Sequence, residues 1–188
     1  FGKTYAVTIS AGANGTVSPT GQQQVGATPV SITATPNLGY AFKQWEVTDG
    51  AKVADATNAS TTLTATAAGT VTAIFEEKPA TTIYLEPTGY WNSDNPQFVA
   101  HVWNNTSNKD IIMTGVGEAP YKYYKAEVPY GYTDVVFFRK KSDGSELWNQ
   151  TADLTIPTDN KTLYEITSTG NGTSTKATGV WKEANLVY

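Results

Sequence analysis

The chain has 188 residues, 39% of them hydrophobic, which is enough to build a core and argues against global disorder. Its formal net charge is −4, and no basic cluster exceeds Arg139-Lys140-Lys141, so nucleic acid is a poor candidate partner. With no cysteine and a single histidine, His101, the chain lacks disulfides, a thiolate nucleophile and Cys-ligated zinc; no metal or cofactor is expected and catalysis is disfavoured.

Charged residues make up only 16%, and Thr, Ser, Asn, Gly and aromatics take their place. Thr suits a pleated, half-buried surface, while Gly and Asn suit turns. No window sustains helical spacing of apolar residues. The expected class is all-β. No run approaches the ~18 apolar residues of a membrane-spanning helix. No cleavable signal peptide is recognisable, and Phe1-Gly2-Lys3 reads as a trimmed start from which a leader has been removed.

In the first part of the chain, Tyr5-Ala6-Val7-Thr8-Ile9 alternates, and Ala13-Asn14-Gly15-Thr16 carries an Asn-Gly turn signal. Residues 29–35 alternate again. The run 40–47 points Tyr40, Phe42, Trp45 and Val47 toward a core if a bulge absorbs the slip in its period. Thr61–Thr64 and Thr70–Phe75 complete the set. Composition changes at Glu76-Glu77-Lys78-Pro79-Ala80: upstream Trp45 is the only tryptophan, and downstream lie the other four and most tyrosines. A charged stretch ending in Pro reads as a boundary, giving domains 1–78 and 81–188.

Five segments stand in order in the first domain: Tyr5–Ile9, Gly15-Thr16-Val17-Ser18-Pro19, Ile32–Pro36, Gly39-Tyr40-Ala41-Phe42-Lys43-Gln44-Trp45 and Val71–Phe75. They resemble the divergent B-repeat of bacterial surface proteins, related to the internalin B repeat. The resemblance implies a small β-grasp-like module, a spacer or adhesive element with no chemistry of its own, in a secreted or cell-surface protein.

The second domain is also strand and turn. Candidate strands are 82–85, 97–103, 123–128, 134–139, 154–156, 163–166 and a last one through Val180-Trp181, a spacing that suggests an antiparallel β-sandwich. Residues 170–175 read as a flexible loop by composition. On the strand 97–103, Phe98, Ala100 and Val102 form one apolar face, so Val99, His101 and Trp103 point outward. Exposed rings can cover the apolar C–H faces of sugars while polar neighbours bond the hydroxyls. The alternative is that Trp103 packs under the loop 104–110 and His101 is ordinary surface. Tyr121, Tyr123, Tyr124, Tyr130 and Tyr132 cluster around a turn, either as edge packing or as a second binding surface. Asp94 and Asn95 supply oxygens without a calcium-ligand spacing. The carboxylates form no recognisable pair of the kind a glycosidase needs.

The order of Ile83-Tyr84-Leu85-Glu86-Pro87, Trp91-Asn92-Ser93-Asp94-Asn95, Phe98–Asn105, Tyr124–Pro129, Val135–Arg139 and Trp148-Asn149-Gln150-Thr151-Ala152-Asp153-Leu154 resembles starch-binding modules of carbohydrate-binding family 26 over about residues 81–183. That resemblance implies a non-catalytic module binding α-glucan, as starch or maltooligosaccharide, within a larger protein. It places the two platform aromatics at His101 and Trp103, with His where Tyr is more usual. Hydrogen-bonding partners carry over to Gln150 and to Arg139 or Lys140. The platform's loop aromatic is missing, with Ile111-Ile112-Met113 in its place, and Trp148 either substitutes for it or is structural. The rival reading is a surface adhesin or structural module that binds protein.

Overall fold

A computed structural model describes residues 2–170 and 174–186. Phe1 and residues 171–173 of the expected loop 170–175 lie outside the described residues. Tertiary contacts divide the chain into Phe1–Pro79 and Ala80–Tyr188.

The first unit runs β1 (Tyr5–Ala11), β2 (Gly15–Ser18), β3 (Gly21–Val25), β4 (Val30–Pro36), β5 (Tyr40–Val47), β6 (Ala51–Val53), β7 (Ser60–Ala65) and β8 (Gly69–Glu77). One sheet has the order β3-β1-β8-β5 with β1 and β8 parallel at its centre, and the other is β2-β4-β7-β6. The parallel-centred sheet is covered by a second sheet rather than a helix, so the unit is a pair of packed sheets. Alternation on each strand turns Val7, Ile9, Val71 and Ala73 of the first sheet against Ile32, Ala34 and Leu63 of the second.

On β5 the period slips, and a bulge between Phe42 and Gln44 absorbs the slip. It puts Trp45 on the inner face, 3% exposed, with its ring 5.5 Å from Phe42 and its Nε1 donating to Asn58 O at 3.0 Å. Val47, expected inside, is exposed at the strand end. The Asn14-Gly15 turn, with Asn14 at φ 73°, does not close a hairpin. Instead β1 pairs with β3 and β2 with β4, so the turn carries the chain from one sheet to the other.

The second unit runs β9 (Thr81–Glu86), a 3-10 turn (Gly89–Asn92), β10 (Gln97–Trp103), β11 (Asn108–Ile112), β12 (Thr114–Val116), β13 (Tyr123–Val128), β14 (Asp134–Lys140), β15 (Leu147–Gln150), β16 (Leu154–Thr155), β17 (Leu163–Ser168) and β18 (Thr178–Lys182). Its sheets are β11-β10-β14-β15, with β16 also on β14, and β12-β13-β9-β17-β18. Among the named strands of this unit one pairing departs from the antiparallel pattern, β17 running parallel to β9, and Thr151 and Ala177 form a further parallel bridge. Between the sheets lie Phe98, Ala100, Val102, Val135 and Phe137 against Ile83, Leu85, Ala126, Tyr164 and Ile166. Among the described residues no helix is long and apolar enough to cross a membrane.

A Cβ on Gly15 would meet the Phe75 ring, itself held edge-on to Phe42 at 6.2 Å. Gly15→Ala is therefore expected to destabilise the first unit by about 1–3 kcal/mol through overpacking. In a Phe75→Leu background the cost should shrink, a coupling that urea unfolding of the four proteins measures.

Candidate functional site

The antiparallel registers of β10 against β14 and β11 decide which side chains share the outer face of the second unit. Val99 lies opposite Phe138, His101 opposite Val136 and Asp110, and Trp103 opposite Asp134 and Asn108. Phe98, Ala100 and Val102 are buried, so His101 and Trp103 face outward, each half-buried. Phe138 joins them: its ring lies 5.5 Å from His101 at an angle of 24°, and Trp103 lies 5.8 Å from His101 on the other side at 33°. The three rings form a strip inclined in steps along the sheet.

Polar groups border this strip. His101 Nδ1 lies 2.6 Å from Asp110 Oδ1. An ionised carboxylate only accepts, so Nδ1 carries the proton and Nε2 is left for another partner. Lys140 Nζ is 3.8 Å from Asp110 Oδ2 and 5.7 Å from the centre of the Phe138 ring. Gln150, on β15, lies directly opposite Phe138 and is half-buried. Where a third platform aromatic was sought, β11 instead presents Ile112, 61% exposed, while Met113 turns into the core.

Arg139 and Trp148 are not brought to the strip. Alternation on β14 sends Val135, Phe137 and Arg139 inward, and Arg139 is 5% exposed. Its Nε donates to Trp91 O at 2.9 Å, and its terminal nitrogen donates to Ser93 O at 2.8 Å and to Asp94 Oδ2 at 3.2 Å. The guanidinium stacks under Trp148 at 4.7 Å and near Tyr90 at 5.7 Å. Arg139 therefore fastens the 3-10 turn to the sheet, and Trp148 covers it. The Ser93 hydroxyl, and after it the Arg139 guanidinium, hold the Asp94 carboxyl below its usual pKa. Asp94 is thus committed to this ion pair, and among the described residues no cluster of three or more acidic or histidine side chains could hold a metal ion.

The Trp148-Asn149-Gln150-Thr151 element divides its work by alternation. Asn149 is fully buried, its Nδ2 donating to the Tyr90 hydroxyl and to Thr169 O. Thr151 is also buried, its Oγ1 accepting from Phe137 N. Gln150 turns to the outer face, opposite Phe138. Trp91 is a core residue, stacked on Phe98 at 6.2 Å with Nε1 donating to Thr169 O. Phe138 is the site residue that sequence reasoning missed. The alternation of β14 carried the signal, because an inward Phe137 forces its neighbour outward.

Residues 5–79 match the divergent InlB B-repeat domain family. Such domains occur in bacterial surface proteins. The matched B-repeat segment falls within the first unit. No curated protein and no solved structure matches the chain.

If Arg139 is a fastener, Arg139→Lys should lower stability by about 1–3 kcal/mol, because a lysine lacks the planar fork whose separate nitrogens reach the Trp91 and Ser93 carbonyls while it lies under Trp148. Thermal unfolding checks the loss.

Proposed function

We propose that the second unit binds α-glucan on the outer face of β10 and β14, without catalysis. The observation that carries the reading is the strip Phe138–His101–Trp103 with Gln150, Lys140 and Asp110 beside it. Aromatic planes stack on the C–H faces of glucose units, and the polar border orients hydroxyls. Neighbouring planes inclined by 24° and 33° suit a chain that curves, as an α-1,4-glucan does, better than a flat ribbon. His101 Nε2 and Lys140 Nζ offer hydrogen bonds at the middle of the strip. Asp110 is engaged by His101 and Lys140, which fits an orienting role rather than that of a paired acid.

A shallow face recovers little beyond its ordering cost, so one module binds weakly and retention comes from several on one surface. The B-repeat domain supports a place at the bacterial cell surface or among secreted proteins, in a larger protein that carries other modules. A second reading, adhesion to protein, is favoured by one observation: Ile112 exposes an apolar side chain with no ring plane.

Isothermal titration of maltoheptaose and β-cyclodextrin should give dissociation constants of about 1 mM or below, lost in Trp103→Ala. Cellohexaose should give no heat. Flat traces from folded protein would overturn the glucan reading and leave adhesion. Ile112→Trp, which supplies the missing plane, should tighten maltoheptaose binding by up to about tenfold.

A further inference from the structure

A cleft of about 480 Å³ opens in the second unit between the β13–β14 turn and the segment after β16. Its size falls in the ~300–1,000 Å³ range of small-molecule sites. Tyr130, 46% exposed, and the rings of Pro129 and Pro157 give it apolar walls. Buried Val128 and Ile156 also line it. Gly131, at φ 104°, makes the turn that sets Tyr130 and Tyr132 on either side of it.

Among the described residues, the lining carries neither a carboxylate nor a cationic side chain; its polar groups include the hydroxyls of Thr81, Thr133 and Thr158. The Thr133 hydroxyl donates to Asp134 Oδ2 at 2.6 Å, which leaves its lone pairs to accept. Apolar walls with hydroxyls and no charge suit a neutral ligand that has both a C–H face and hydroxyl edges.

The cleft is joined to the ring strip by hydrogen bonds. Thr133 N donates to Trp103 O at 3.1 Å, and Asn104 Nδ2 donates to Gly131 O at 2.8 Å. On its other side Thr133 O accepts from Ile156 N at 2.8 Å. The turn 131–133 is thus shared between the end of the strip and the wall of the cleft. We propose that this cleft is a second subsite for the same α-glucan, taking glucose units that run on past Trp103; the proposal rests on the glucan reading of the β10 face.

The test is a ¹⁵N-correlation NMR titration of the full chain with maltoheptaose, for wild type, Trp103→Ala and Tyr130→Ala. Wild type should show two groups of shifted amides, one around His101 and Trp103 and one at Thr81, Gly131, Thr133 and Thr158. Tyr130→Ala should lose the second group, keep the first, and bind maltoheptaose roughly tenfold more weakly, while a maltose-length ligand is little affected. Trp103→Ala should keep weak shifts in the cleft. Shifts confined to the strip would overturn the second subsite and leave the proposed function standing. Shifts confined to the cleft in wild type would overturn the strip and, with it, the continuation of one glucan past Trp103. Absence of both groups would overturn both.

Discussion

The candidate site depends on the register of β10 against β14. A strand has two faces, and a slip of one residue would exchange them, burying His101 and Trp103 and exposing Phe98 and Val102. Burial of Phe98, Ala100, Val102, Val135 and Phe137 in one core pins that register from below. What remains above is what the core leaves over: Phe138 beside Val99, then His101, then Trp103. The strip is therefore rigid because the core is rigid. No loop has to be ordered to form it, so a ligand stacking on this face would meet little ordering cost from the protein.

A second device holds the sheet end near Lys140. Arg139 inserts its guanidinium under Trp148 and Tyr90 and hydrogen-bonds the carbonyls of Trp91 and Ser93, joining the 3-10 turn to β14. Asn149 ties the same region to Thr169. A bulge between Arg139 and Lys140 lets Leu147 pair with Lys140 while Asn149 pairs with Arg139, leaving Trp148 free to cover the guanidinium. In this way the neighbours Arg139 and Lys140 have opposite duties, one inside as a fastener and one outside beside Asp110.

Much of the fold was legible. The strands Gln97–Trp103 and Tyr123–Val128 are reproduced end to end, although Val99, expected outward beside His101, is buried on the outer face. The bulge of β5 could be read from the spacing of Phe42 and Trp45. Less visible was β3, whose Gly21–Val25 run is mostly Gln and is recruited as an edge strand by pairing with β1. Turn chemistry at Asn14-Gly15 signalled a turn but not its destination, since a hairpin and a sheet-to-sheet crossing use the same residues. At the candidate site, alternation along Phe98–Trp103 turns His101 and Trp103 outward, while Gln150, Lys140, Arg139 and Trp148 came in through the family resemblance. The structure buries Arg139 with Trp148 over its guanidinium, because a guanidinium and an indole suit each other as well as they suit a sugar. Only the register separates the two uses.

The central claim is that the outer face of β10 and β14 is a glucan platform, and a crystal structure of the chain grown with maltoheptaose tests it most directly. Glucose units stacked on Trp103 and His101, with hydroxyls bonded to Lys140 or Gln150, are the expected result. A folded protein with that face bare, at sugar concentrations well above the affinity found in solution, would contradict it.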